Sequence, residues 1–203
     1  MKNITVFMLI IAITTGCNNT EQKAGENKPA EVELSRPSNN SKAFNDSFKK
    51  LLDSYYTLKD ALVDYDTVKA NGAALLLAGY ADSLRIIDIS HDSSGVVKET
   101  AKNYTGTIAG SALGFVGERD LLKKKKEFQM ISDAMYDLVR TVKYDREKIY
   151  HQHCPMAIND TEEAYWLSNS GDVVNPYLGN KHPKYKDGML ACGDITDSLG
   201  FSK

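Results

Sequence analysis

Cysteine, long hydrophobic runs and an excess of either charge are all scarce in this sequence. Three cysteines in 203 residues exclude a small scaffold held together by many disulfides. The formal net charge of -2 at pH 7 gives no electrostatic reason to expect a nucleic-acid partner, which needs concentrated positive charge. The one dense basic run, Lys123–Lys126, falls within a helical pattern, and such runs form solvated helix faces. We therefore predict that these four lysines point to solvent.

Motifs of the common catalytic sites are also missing. The sequence contains no GxSxG, HExxH or GxGxxG motif and no glycine-rich phosphate-binding loop. His153 and Cys154 are adjacent, but sequence neighbours rarely form a working base and nucleophile. We therefore expect no catalytic residue and no enzymatic activity.

The N-terminus has the pattern of a targeting segment. Lys2 precedes the apolar run VFMLIIAI, which is too short to cross a bilayer as a helix. The run ends in TTGC, which resembles the cleavage site of bacterial lipoproteins, whose cysteine is acylated after the signal is removed. This resemblance predicts a signal peptide over 1–16, lipidation of Cys17 and a membrane anchor in the cell envelope. Asn18 favours the outer over the inner membrane. The alternative is an ordinary secretory signal that contains a cysteine.

The segment after Cys17 is rich in Asn, Glu, Lys, Ser and Pro and has few large apolar residues. Such a composition cannot bury enough surface to offset the entropy of ordering the chain. We predict that 17–41 is a lipidated cysteine followed by a flexible tether.

Between Ser41 and Tyr144 apolar residues recur at the three- and four-residue spacing of helices. Four amphipathic segments follow one another, joined by turns such as SHDSSG and GFVG, and Asp66 is placed to cap the second. This pattern predicts an antiparallel four-helix bundle over 42–144. The expected core of the last helix comprises Phe128, Ile131, Met135, Leu138 and Val142.

Beyond Tyr144 the helical period stops. Short apolar pieces, IYHQH, AYWLS, DVVNPY and MLACGDI, are separated by Pro, Gly, Asn and Asp, which is typical of short strands or irregular segments. We predict a small irregular or β unit over 145–203, packed on the bundle, with Trp166 as its core anchor. A unit of this size needs a disulfide, a metal or docking for stability.

This C-terminal segment contains two short arms that each pair a thiol with a thioether. Cys154-Pro155-Met156 forms the first arm, and Met189-Leu190-Ala191-Cys192 forms the second. Thiolate and thioether together select Cu(I), or Ag(I) as its analogue, whereas zinc rarely uses thioether. The predicted metal ligands are Cys154, Met156, His153, Met189 and Cys192, with His151 and His182 as weaker candidates.

A disulfide between Cys154 and Cys192 is the alternative, because exported proteins fold in oxidising compartments. Met156 and Met189 would then be packing residues. A dithiol can also alternate between metal-bound and disulfide states. Composition and spacing leave both states open.

Five motifs in this chain resemble, in the same order, those of a family of exported bacterial domains of unknown function. They are YTLKDAL at Tyr56–Leu62, CPM at Cys154–Met156, WLS at Trp166–Ser168, NPYLG at Asn175–Gly179 and MLACG at Met189–Gly193. The family includes stand-alone lipoproteins and C-terminal extensions of periplasmic adaptor subunits of copper and silver efflux pumps. Relative to that pattern, NKHPKYKDG is an insertion, so the resemblance assigns no role to His182.

The resemblance, which spans Phe44 to Leu199, implies soft-metal binding. We therefore expect a lipid-anchored periplasmic protein that binds Cu(I) or Ag(I) for sequestration or for delivery to a heavy-metal efflux system. The alternative is a non-catalytic protein-interaction module with a structural Cys154–Cys192 disulfide.

Overall fold

A computed structural model of the protein describes residues 38–200, which form four α-helices followed by a three-stranded antiparallel sheet. The elements are α1 (Lys42–Val63), α2 (Thr67–Asp82), a 3₁₀ turn (Ile86–Asp88), α3 (Val96–Gly117), α4 (Leu121–Val142), β1 (Ile149–Ile158), β2 (Glu162–Ser168) and β3 (Asp194–Leu199). The predicted signal peptide, the lipidation site at Cys17 and the tether up to residue 37 lie outside the described residues. The prediction of a mainly helical fold with a C-terminal β unit is confirmed.

Short polar side chains set the start of three helices by accepting a backbone N–H of the first turn. Ser41 caps α1, Asp66 caps α2 with an Oδ1–N distance of 2.9 Å to Lys69, and Asp120 caps α4 in the same way. The cap predicted at Asp66 is confirmed. The turn predicted at GFVG is wrong. These residues form the last turn of α3, because Phe115 continues the buried face of that helix.

The helices pack in chain order, α1 on α2, α2 on α3 and α3 on α4. Tyr55 also joins α1 to α4, since its ring stacks on Phe128 at 5.5 Å and its hydroxyl lies 2.8 Å from Ser132 Oγ. The core residues predicted for α4 are all fully buried: Phe128, Ile131, Met135, Leu138 and Val142. Among residues 38–200, no helix combines the length and the apolar character needed to cross a membrane.

The sheet has the order β2-β1-β3, so β1 is the central strand. Strand β2 packs on α4, and the backbone N–H of Leu167 donates to Tyr55 Oη at 2.9 Å. Trp166 is fully buried, as predicted, and its indole N–H donates to Gln152 Oε1 at 2.7 Å. The sheet and the helices thus share one hydrophobic core.

Residues 38–40, at the end of the predicted tether, are fastened to the end of α4. Ser38 Oγ donates to Asp145 Oδ1 at 2.6 Å, and Asn40 Nδ2 donates to the carbonyl of Val142 at 2.8 Å. The chain therefore enters the fold beside the connection between α4 and β1.

The prediction that Lys123–Lys126 forms a solvated face is wrong for two of its four members. Lys124 and Lys125 are only 4% and 9% exposed. Lys124 Nζ donates to Asn71 Oδ1 at 2.8 Å and lies 4.3 Å from the centre of the Phe115 ring. A lysine stem can cover apolar surface while its ammonium reaches a polar partner, and a charge run alone does not reveal this.

Candidate functional site

Strand β1 places its side chains alternately on the two faces of the sheet, as any strand does. Gln152 and Cys154 face the core and are fully buried, while His151 and His153 lie half-buried on the opposite face. The predicted ligands His153 and Cys154 therefore diverge, although they are adjacent in sequence.

The structure brings Cys154 and Cys192 together. Both are free thiols, the sheet pairs His153 with Asp194 beside them, and Cys192 is among the groups that raise the pKa of Cys154. The backbone of Met156 and the side-chain amide of Asn175 act on the same thiol and lower its pKa. The two arms recognised in the sequence thus meet at their cysteines.

Asn175 holds this arrangement in place. It is fully buried, and its Oδ1 accepts the N–H groups of Tyr177 at 2.8 Å and Leu178 at 3.0 Å, which makes a tight turn. Its backbone N–H donates to Leu190 O at 2.8 Å, and its Nδ2 donates to Cys192 O at 3.0 Å. Asn175 therefore joins the NPYLG turn to the arm that carries Cys192.

Two glycines allow the backbone to approach closely around the site. Gly179 has φ +60°, and a Cβ there would lie 2.7 Å from the carbonyl oxygen of Val63. Gly193 has φ +136°, and a Cβ there would collide with the carbonyl of His153. A side chain would collide with backbone at both positions, and the φ of Gly193 is one that residues other than glycine rarely adopt. The glycine of MLACG therefore lets the Cys192 arm close onto β1.

The two methionines lie beside the thiols in sequence and are half-buried against the core. Met156 follows Cys154 by two positions, and Met189 accepts the backbone N–H of Cys192 at 3.0 Å in a turn. Each methionine is thus within three residues of a cysteine on its own arm.

Burial raises the pKa of the Cys154 thiol to about 12, and its contact with Cys192 acts in the same direction. The hydrogen bonds from Met156 and Asn175 act in the opposite direction, because they stabilise negative charge on sulfur. The thiol is protonated at neutral pH and is a poor nucleophile in that form. A bound cation would stabilise the negative charge of the Cys154 thiolate, which burial disfavours.

The predicted histidine ligands lie elsewhere. His153 Nδ1 is 3.2 Å from Asp194 Oδ1 and its Nε2 is 3.1 Å from Glu163 Oε2. The ring of His151 stacks on Tyr136 with centroids 3.9 Å apart, and burial lowers the pKa of this imidazole. His182 lies in the loop at 180–188 and stacks on Tyr185.

Within residues 38–200, no group of three or more His, Cys, Asp or Glu side chains is arranged to hold a metal ion. What the fold brings together is a pair of thiols, each on an arm that also carries a half-buried methionine. Sequence reasoning did not include Asn175 in the site; its place in the NPYLG motif was the only signal that could have marked it.

A family model described as "Protein of unknown function (DUF3347)" matches residues 51–147. The match runs from within α1 to the segment before β1, so it includes the helices but neither of the two thiol-bearing arms. No curated protein matches the chain, and no solved structure does. The chain is therefore similar, over its helical part, to an uncharacterised domain family.

Proposed function

We propose that this protein binds one soft monovalent metal ion, Cu(I) or Ag(I), between Cys154 and Cys192, and that it acts without catalysis in sequestration or delivery. The contact between two free thiols carried by separate arms is the observation behind the proposal. Soft thiolates select Cu(I) over harder cations.

The thiol pair suits a low coordination number. Met156 and Met189, both half-buried on the cysteine arms, are the proposed thioether donors, and His153, which lies on the other face of β1, is left out of the proposed ligand set. A structural zinc ion takes four ligands, and residues 38–200 offer no such cluster. The donor set therefore favours Cu(I) or Ag(I) over Zn(II).

Proton release accompanies binding, because the cysteines must ionise to become ligands. The raised pKa of Cys154 makes this requirement strong, so metal affinity rises with pH. Once ionised, the sulfur keeps the N–H donors of Met156 and Asn175, and hydrogen bonds to a charged acceptor are stronger than those to a neutral one.

The same contact also favours a second candidate function. If Cys154 and Cys192 form a disulfide, the site is structural, and the protein is an interaction module that binds its partner through another surface. Oxidised and metal-bound states exclude each other, since both use the same two sulfurs.

Two measurements separate the metal-binding proposal from the structural-disulfide alternative. Free thiols are first counted with and without reductant, and Cu(I) binding is then measured by competition titration against a chromogenic chelator. Reduced protein should bind one Cu(I) far more tightly than Zn(II). Cys154→Ser and Cys192→Ser should abolish binding, and Met156→Leu should weaken it. Met130→Leu is the matched control, because Met130 lies exposed on α4 and should bind like the wild type. If the reduced wild type fails to compete for Cu(I), the metal-binding proposal is wrong and the structural-disulfide interpretation replaces it.

For location we propose a lipid anchor at Cys17, in the outer rather than the inner membrane, and a heavy-metal efflux system as partner. The TTGC sequence after a short apolar run supports the anchor.

The packing of each helix on the next supports an antiparallel arrangement of the four helices.

A further inference from the structure

A cleft of about 360 Å³ lies between the start of α4, the turn that joins β1 to β2, and the loop at 180–188. Its walls are mostly apolar and include Leu121, Leu122, Ala157, Leu178 and Pro183. Neither thiol of the Cys154–Cys192 pair lines it. It is therefore a separate feature of the molecule.

Lys125 is one of the residues that line this cleft. The residue is 9% exposed, and no hydrogen bond or ion pair holds its Nζ within residues 38–200. Burying a charged side chain is costly, and burial accordingly lowers the pKa of Lys125, although the charge of Asp160 opposes this. An anion in the cleft would relieve this cost.

The one acidic side chain in the lining is already engaged. Asp160 Oδ2 accepts from Lys184 Nζ at 2.7 Å, so the close ion pair of this carboxylate is with Lys184 and not with Lys125. Burial and the neighbouring charge of Lys125 lower the pKa of His182, the other basic group of the lining, although Asp160 opposes this. Among the described residues that line the cleft, Lys125 is thus the basic side chain that carries a full charge at neutral pH and forms no ion pair.

Helix α4 adds to the positive electrostatic potential in the cleft. Its first residue, Leu121, is part of the wall, and the N-terminus of a 22-residue helix carries partial positive charge. Lys125, a mostly buried residue with no ion pair in residues 38–200, supplies the full charge beside it. A single negative charge on a short apolar body matches this combination.

We propose that this cleft binds a small organic carboxylate, with Lys125 as its counter-ion and the apolar walls covering its hydrocarbon part. The loop at 180–188 would contribute His182 and Pro183 as one wall of the site. A phosphate dianion fits less well, because Lys125 is the single fully charged cation among the described residues of the lining.

Butyrate is the probe, titrated into uniformly ¹⁵N-labelled reduced protein and followed by amide chemical shifts. The amides of Asn159, Asp160 and His182 should shift and saturate, and butanol should leave them unchanged. Lys125→Met, which keeps an apolar stem, should weaken binding at least about tenfold, as the loss of a charged hydrogen-bond partner does. Lys126→Met is the matched control, since Lys126 pairs with Glu162 on the surface and should bind butyrate like the wild type.

A second readout depends only on the wild type. Bound butyrate should raise the pKa of His182, because it adds a negative charge beside the imidazole, and the ring proton shifts of this histidine report that change. Absence of saturable shifts in these amides, or tighter binding of inorganic phosphate than of butyrate, would overturn the proposal. Neither result depends on the metal-binding titration.

Discussion

The side-chain amide of Asn175 donates to the backbone carbonyl of Cys192 at 3.0 Å and also contacts the sulfur of Cys154. One buried amide thus orients both cysteines, although it lies on neither arm. The contact between the thiols depends on this third residue as much as on the cysteines.

Replacement of Asn175 by alanine should therefore loosen the site as well as the fold. The buried N–H groups of Tyr177 and Leu178 would lose their acceptor, and such a loss costs about 1–3 kcal/mol. Urea unfolding should show this decrease, and Cu(I) affinity should fall in the same variant. Asn103→Ala, on the exposed side of α3, should change neither quantity. An unchanged Cu(I) affinity in folded Asn175→Ala would show that the amide does not orient the sulfurs.

Stability of the reduced protein should fall in alkaline solution. The folded state raises the pKa of Cys154 to about 12, above the ordinary value of about 8.5. A raised pKa stabilises the folded state while the unfolded thiol is protonated, and this contribution is lost as pH rises from the lower value to the higher. At pH 10 the loss should be roughly 1–2 kcal/mol relative to pH 7.

Cys154→Ala is the reference for that measurement, because the buried tyrosines titrate in both proteins and cancel in the difference. Unfolding free energies should be measured in reductant at both pH values. Equal pH dependence in the two proteins would contradict the prediction.

Gly193→Ala should be strongly destabilising. Its backbone has φ +136°, and the added methyl group would collide with the carbonyl of His153. Gly72→Ala in α2 is the opposite case, because a Cβ there meets nothing within 4 Å and helices favour alanine over glycine by about 0.5–1 kcal/mol. Thermal unfolding should therefore move in opposite directions for the two variants. A stabilising Gly193→Ala would show that the Cys192 arm does not need this close approach.

Leu138→Ala should cost about 2–5 kcal/mol, as truncation of buried leucines does, since Leu138 is fully buried in α4. Leu75 on α2 is 52% exposed, and Leu75→Ala should stay within about 0.5 kcal/mol. Denaturant titration of both variants tests the assigned core. Similar losses in the two would mean that the assigned faces are wrong.

Cys17→Ser should release the protein from membranes, because an acyl chain needs the cysteine thiol. Detergent phase separation of cells that express each form provides the measurement. Ser38→Ala is a control that keeps the thiol and should partition like the wild type. Unchanged partitioning of Cys17→Ser would exclude the lipid anchor.

The helical part of this fold could be predicted from the sequence because periodicity is a local signal. The stripe from Phe128 to Val142 and the cap at Asp66 depend on residues within a few turns of each other. The predicted end of α3 is wrong because Gly114 and Gly117 suggest a turn, whereas the burial of Phe115 favours continuation of the helix.

The candidate site was only partly predictable because its contacts are not local. His153 was assigned to the metal through adjacency to Cys154, although strand alternation separates neighbouring side chains. Burial of Lys125 depends on the turn at Asn159 and on the loop that carries His182, which a charge run in α4 cannot reveal. Asn175 acts through backbone groups, for which the sequence has no pattern.

Cys154 lies on the central strand β1, whereas Cys192 lies just before the edge strand β3. Any link between the two sulfurs, direct or through a metal, converts the chain between them into a closed ring that includes β2, the NPYLG turn and the loop at 180–188. Strand β3 is largely exposed and would then start two residues from a fixed point, so it could fray only from its C-terminal end. The redox or metal state of the thiols would in this way decide whether the last segment opens as a whole or one residue at a time.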